Sequence, residues 1–186
     1  MASIDKSPIA EHYRQCWGEA GVPRKWERGP ISQLPVNFQI LVFAPTHRRA
    51  GWTYATSGMA TDLTTGPALE LYLISPVETN LHVELLTVVA HYHRTGAPLG
   101  LGHTVNFGRA WLPGSLCDHG LISLPYLDGP SLEWLDTEKG SIRFLWLIPI
   151  TNAEVAYKKA QGLEALEARF EESQFNYLNP TRASVA

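Results

Sequence analysis

The residues able to do chemistry are scattered, so their spacing has to be tested type by type. Seven histidines raise the question of a bound metal. His91 and His93 are two positions apart, which on a helix directs them to different faces. At a fraying helix end they could converge, with His103 or the pair Asp118-His119 brought up only by the fold. Imidazoles near a helix C-terminus also interact favourably with the helix dipole without any metal. His82 and Glu84 share the same poor spacing. Neither HExxH nor a zinc-type Cys/His pattern occurs. The expectation is that no metal and no cofactor is required.

Nucleophilic chemistry has thin support. Ser57-Gly58 puts a serine beside a turn, but the GxSxG elbow is missing. Cys117-Asp118-His119 places three reactive types in a row, and adjacency does not create the geometry of a catalytic pair. An enzyme reading therefore needs a hydrolase-like site assembled across the fold from Cys117, His119 and Glu70. Asp62 and Glu70 could act as acid and base across a loop, a coincidence expected among 18 acidic residues. The glycines between Gly96 and Gly108 miss both the dinucleotide and the P-loop spacings, which leaves turns and close backbone contacts as their role.

A binding surface is easier to support. Trp52, Tyr54, Tyr72 and Trp111 are large groups at strand or loop positions, and any exposed subset would anchor a protein partner. Asp62, Glu70, Asp118 and Asp128 would add an acidic rim suited to a basic partner. Trp52, Tyr54, Asp62 and Glu70 lie in or close to one stretch, Gly51 to Ala60, and are the candidate partner-contact residues.

Composition bounds the class. The 186 residues are enough for one sizeable core. Hydrophobic residues make up 45% and charged residues 18%, a globular composition with few charges. The net charge of -3 is spread along the chain, and no Lys/Arg run suggests nucleic acid. Cys16 and Cys117 could pair, but nothing in their spacing demands it. No apolar run approaches the roughly 18 residues of a membrane span. Asp5, Lys6 and Pro8 interrupt any leader-like run, so the cytoplasm is the expected compartment. The oligomeric state is left open.

The elements that must position these residues are legible in outline. Ser7 can cap a helix over Pro8 to Ala20 that Gly21 ends. Gly21 to Pro35 reads as a connector. Strands are expected over Asn37 to Phe43, Trp52 to Thr56 and Leu69 to Ile74, the last with Glu70 on a wet face. Ser75-Pro76-Val77-Glu78 has a capping-box arrangement opening a helix to Tyr92, with Leu81, Leu85, Val88, Val89 and Tyr92 as its core stripe. A short edge segment fits near Val105, a strand over Leu121 to Leu124, and a helical turn near Leu132 to Leu135. Ile142 to Ile148 is apolar on both faces, as in a strand covered on both sides. Pro149 should end its ladder. Thr151 with Glu154 then forms a capping box for a helix broken at Gly162 and resumed to Phe170. A ragged tail follows Asn179-Pro180. The pattern predicts an α/β (α+β) sandwich with a central mixed β-sheet covered by helices.

Several of these segments together resemble the suppressor-of-fused domain family, particularly its bacterial single-domain members. They are GWTYATSGMA (Gly51 to Ala60), Leu69-Glu70-Leu71, HVELLTVVAHYH (His82 to His93), GLGHTVNFG, LISLPYLDG and the LIPIT-NAE junction, in the family's order. The resemblance divides the chain into an N-terminal helix and connector (1–29), the domain (30–172) and a tail (173–186). It implies the fold of the N-terminal domain of suppressor-of-fused proteins and a protein-binding role without established catalysis. Animal members sequester a transcription factor and carry a second domain, whereas bacterial relatives are proposed as immunity proteins of polymorphic toxin systems. The expected function is stoichiometric binding of a protein partner, with a cognate toxin domain as the leading candidate. The alternatives are the Cys117, His119 and Glu70 enzyme and a regulatory interaction domain unrelated to toxins.

Overall fold

The computed structural model describes residues 7–29 and 31–186. In chain order the elements are α1 (Pro8–Trp17), β1 (Val22–Arg24), β2 (Gln39–Phe43), β3 (Trp52–Ser57), β4 (Leu69–Ser75) and α2 (Asn80–Thr95). They continue with β5 (Thr104–Asn106), β6 (Cys117–Ser123), α3 (Pro130–Glu133), β7 (Trp134–Thr137), β8 (Gly140–Thr151), α4 (Asn152–Gln161) and α5 (Leu163–Glu172). Among the described residues the strands form one sheet in the order β1-β2-β3-β4-β8-β6-β5, with β7 pairing β8 off that path. β4 and β8 run parallel and the other pairs antiparallel, so the sheet is mixed.

β8 is the axis of the sheet. Its apolar run is buried from Phe144 to Ile150 because both faces are covered. One edge pairs with β4 through Leu69↔Arg143 to Tyr72↔Trp146. The other edge is shared, with β7 on Gly140 to Arg143 and β6 on Trp146 to Thr151. The strand does not stop before Pro149 as the sequence suggested; it pairs Pro149 with Gly120 and reaches Thr151. The reason is directional. The Pro149 carbonyl accepts from Arg182 Nη2 at 3.1 Å, so its nitrogen faces the same way, off the β6 ladder. The pairing of β8 with β4 ends at Tyr72↔Trp146, so no ladder needs the missing N–H.

The two faces carry two cores. One packs α2 on β2, β3, β4 and β8 through Tyr54, Leu71, Leu86, Val89 and Leu145. The other packs α1, α4, α5 and the C-terminal segment through Tyr13, Phe43, Tyr72, Phe144, Trp146 and Phe170. The expected Thr151 capping box is present: Thr151 Oγ1 accepts from Glu154 N–H at 3.2 Å, and Glu154 accepts from Thr151 N–H at 2.8 Å. Gly162 breaks the following helix into α4 and α5.

Four local readings are corrected. α1 ends at Gly18, whose left-handed backbone donates to Arg14 O, ahead of Gly21. The connector contains an edge strand, β1, on β2. α2 begins at Asn80 with Thr79 as its cap, because Ser75 stays in β4 opposite Trp52. That later start turns the helix: His82, Val83, Leu86, Ala90 and His93 join Leu85 and Val89 inside, while Leu81, Val88 and Tyr92 are exposed. Finally, the segment after Asn179 is docked rather than ragged. Arg182, 7% exposed, forms two hydrogen bonds to Glu154, 0% exposed, at 2.6 and 2.8 Å. Val185 N–H donates to the same carboxylate at 3.0 Å. Arg182 and these hydrogen bonds hold the Glu154 carboxyl below its usual range against the opposing effect of burial.

Two stability tests follow. Trp146 is 3% exposed, stacked 6.3 Å from Tyr72 and edge-on to Tyr177 at 5.3 Å. Trp146→Ala is expected to cost about 3–5 kcal/mol in chemical denaturation, and a loss below about 1 kcal/mol would contradict the packing. Arg182→Ala leaves the buried Glu154 carboxylate without its cation and is expected to cost about 3–5 kcal/mol. An unchanged denaturation midpoint would mean that the C-terminal segment is undocked in solution.

Candidate functional site

The segment between β3 and β4 is built around one buried carboxylate. Glu70 is fully buried, not on a wet face as the sequence suggested. Thr56 Oγ1 donates to its Oε2 at 2.5 Å, and the N–H groups of Gly58 and Ala60 donate to its Oε1 at 3.1 and 3.0 Å. Gly58 sits at φ 105, a conformation that strongly favours glycine, and a Cβ there would lie 3.3 Å from Phe38 Cα. The Ser-Gly-Met turn is therefore required for the loop to wrap the carboxylate. Burial raises the Glu70 carboxyl to about 7, against the lowering effect of these donors.

The carbonyls of the same loop are held from the other side. Arg94, in the last turn of α2, donates Nη1 to Met59 O at 3.0 Å and to Thr61 O at 2.8 Å. Its Nη2 donates to Asp62 O at 3.4 Å. An anion collects the loop's N–H groups and a cation collects its C=O groups. The adjacent His93 accepts Leu99 N–H at its Nδ1 (2.9 Å), so Nε2 carries the proton and donates to Pro67 O at 3.2 Å. It is a neutral tie between loops, and burial lowers its pKa.

What this loop displays is Asp62, at φ 48. Its side chain is 73% exposed and lies 3.3 Å from Lys139, in the turn between β7 and β8. Beside this pair runs a groove of about 740 Å³, whose walls include Ile9, Thr61, Asp62, Ala68, Lys139 and Ser141. Arg143 N–H pairs with Ala68 O, so Ser141, two residues earlier, directs its N–H and C=O to the same side, away from β7. β4 pairs with β8 only from Leu69 onward, which leaves that stretch of β8 edge facing the groove.

The structure thus brings Asp62 and Glu70 to one place, Asp62 as surface and Glu70 as its internal support. Trp52 lies at the other end of β3, five residues or about 17 Å from Ser57. Tyr54 is buried, and its hydroxyl accepts Thr79 N–H at 2.7 Å ahead of α2. Arg94, Lys139 and Ser141 were not picked out from sequence. Only the fold sets them beside the loop, and no local spacing signals it.

The chemistry-bearing residues do not converge. Glu70 pairs with Phe144 and Cys117 with Thr151, seven residues apart along β8, or about 23 Å. Cys117 is buried and Asp118 is 2.7 Å from His119. Cys16 and Cys117 are both free. Among the described residues no three His, Cys, Asp or Glu groups are placed to hold a metal. A serine–histidine contact does exist, His82 Nε2 to Ser75 Oγ at 3.0 Å. Both residues are fully buried, and His82, packed between Tyr54 and Trp111, is pushed down to about 3 by burial and by Arg109. At that value it is a poor base for activating serine at neutral pH.

Comparison with known proteins accounts for this arrangement. The suppressor of fused protein family matches residues 35–183. The chain belongs to the suppressor of fused family. A crystal structure of a suppressor of fused homolog from Neisseria gonorrhoeae FA 1090 is 34% identical, with a TM-score of 0.85 over 96% of this chain and 95% of that one. A chain from the Sufu–Fu complex superposes at a TM-score of 0.71 with 13% identity, covering 95% of this chain and 90% of that one. Drosophila Suppressor of Fused gives 0.70 with 14% identity, covering 95% of this chain and 50% of that chain. The last two establish a shared fold. No curated protein matches. No described helix is long and apolar enough to cross a membrane. In this suppressor of fused domain the family-like blocks Thr56 to Ala60 and Leu69 to Leu71 are the halves of one buried hydrogen-bond site.

The Glu70 site makes a pH prediction. Its folded carboxyl is raised to about 7 from an ordinary value of 4.5. Its contribution to stability is therefore complete below the unfolded value and is lost as pH rises through about 7. Glu70→Gln can keep Oε1 on both backbone N–H groups and does not ionise. Its stability relative to the parent should improve by about 2–3 kcal/mol between roughly pH 5 and pH 8. A difference that stays flat with pH would contradict a titrating Glu70. Glu70→Ala strands the Gly58 and Ala60 N–H groups and should cost at least about 2 kcal/mol at pH 6.

Proposed function

We propose that the domain works by stoichiometric binding of a protein partner, with the groove beside the loop at 58–62 as the contact face. The carrying observation is that groove: a displayed carboxylate at Asp62, a lysine at Lys139 and an unpaired stretch of β8 backbone at Ser141, all on a rigidly braced loop and hairpin. An extended segment of a partner could add its backbone to such an edge, while side chains provide selectivity. Family membership agrees, since a relative of this fold crystallised as the Sufu–Fu complex. Trp52 and Tyr54 remain outside this face. Glu70 contributes by holding its loop. The enzyme built from Cys117, His119 and Glu70 has no supporting geometry.

The finer reading is that the partner is a toxin domain, which this protein neutralises by occupancy inside the bacterial cell. Its support is the likeness to single-domain bacterial members such as the Neisseria homolog, which matches over nearly its whole length. An occupancy inhibitor has to be present at about the toxin concentration and bind tightly. Nanomolar affinity corresponds to about -12 kcal/mol.

The test is co-expression and pull-down with a toxin domain encoded beside this gene. The expected outcome is a one-to-one complex and restored growth, both weakened by Asp62→Arg, which places a cation beside Lys139. A domain that neither binds nor protects removes the toxin reading. A complex unaffected by Asp62→Arg and by Lys139→Glu removes the groove as the contact face.

A further inference from the structure

Away from the groove, α5 overhangs a cavity of about 490 Å³ whose chemistry is unlike that of the groove. Its walls include the aromatic side chains of Tyr126, Trp146 and Tyr177, and the carboxylates Glu164, Glu167 and Glu171. The three glutamates are spaced three and four residues apart, so they line one side of α5. None forms an ion pair among the described residues, and no lysine or arginine lines the cavity. Glu167 accepts from Ser123 Oγ at 2.8 Å, while Glu164 and Glu171 are exposed. Like charges at these spacings destabilise a helix by a few tenths of a kcal/mol each, about 0.2–0.5.

A second observation is independent of the acidic residues. Trp146 is 3% exposed, lines this cavity, and its indole N–H has no hydrogen-bond partner among the described residues. A buried donor without an acceptor is costly, and water or a ligand oxygen is its usual remedy. The cavity therefore offers aromatic faces, three unneutralised carboxylates and a donor seeking an acceptor. A cation alone leaves the donor unmet, and an anion is repelled by the glutamates. Arginine within a peptide meets all three: its planar guanidinium pairs with carboxylates and stacks on aromatic rings, and its peptide carbonyl can take the indole N–H.

We propose that this cavity is a second docking site, which accepts an arginine side chain from an extended segment of a protein partner. It rests on the reading of the domain as a protein-binding module, but not on the toxin assignment or on the groove at Asp62. The site lies on the face covered by α5, whereas the groove lies between the β3–β4 loop and the β7–β8 turn. A partner engaging both would be held at two points.

The probe is the peptide acetyl-Gly-Arg-Gly-Arg-amide, with its citrulline counterpart as the neutral control. Binding is followed by the indole ¹H–¹⁵N resonance of Trp146, assigned by its loss in Trp146→Phe. The expected result is a saturable shift of that resonance with the arginine peptide and none with citrulline. Glu164→Gln with Glu171→Gln should weaken the apparent affinity by about tenfold or more. Both positions are exposed and relief of their mutual repulsion can only help the helix, so a melting temperature no lower than the parent's serves as the folding control. Asp62→Arg should leave peptide binding intact, which separates this site from the groove even if no toxin is bound. Absence of a saturable Trp146 shift, an equal response to citrulline, or a smaller loss in the glutamine variant would overturn the proposal.

Discussion

A strand buried on both faces has to satisfy its backbone without water, and this requirement on β8 organises the rest of the molecule. Each unpaired N–H or C=O there would carry a desolvation cost of about 1–3 kcal/mol. β4 meets one edge, while β7 and β6 divide the other. Beyond the last β4 pair, Tyr72↔Trp146, the guanidinium of Arg182 takes the Pro149 carbonyl. At the opposite end no strand among the described residues pairs with Ser141 on the β4 side, and the groove lies there. The groove and the C-terminal clamp thus both arise from the same backbone problem.

Two buried glutamates show how context divides one side-chain type. Glu154 meets a guanidinium and two backbone N–H groups, and its carboxyl is held low. Glu70 meets a hydroxyl and backbone N–H groups, without a paired cation among the described residues, and burial raises its carboxyl to about 7. The first locks the chain's last residues to the α4 cap. The second shapes a loop that presents Asp62 to solvent. Arg94 completes that loop by taking carbonyls, and its guanidinium has no carboxylate partner among the described residues. Rigid support of a displayed loop suits recognition, because less conformational entropy is lost on binding.

The groove and the cavity also differ in what they offer a partner. The groove combines a free backbone edge with one charge of each sign. The cavity under α5 combines aromatic walls with charges of one sign. Backbone pairing is tolerant of sequence, whereas an aromatic and acidic cavity discriminates side chains.

Much of the fold was legible in the sequence. The apolar run Phe144 to Ile150, the Thr151 and Glu154 capping box and the break at Gly162 are local signals, and local energetics decide them. The start of α2 was misread because Ser75 fits a helix cap as well as a strand end, and only pairing with Trp52 and contact with His82 choose between them. β1 is three residues long and gains its ladder only from β2. At the candidate site, Asp62 and Glu70 were visible as residue types, and the likeness of Thr56 to Ala60 and Leu69 to Leu71 to one family marked their neighbourhood. That Glu70 is an internal anchor, that Arg94 and Lys139 reach the same loop, and that Trp52 lies elsewhere follow from contacts between residues tens of positions apart. The sequence by itself determined the elements, their caps and the family. Tertiary packing decided which carboxylate meets water and which meets a ring of donors, because burial and hydrogen bonding are properties of surroundings that no local pattern contains.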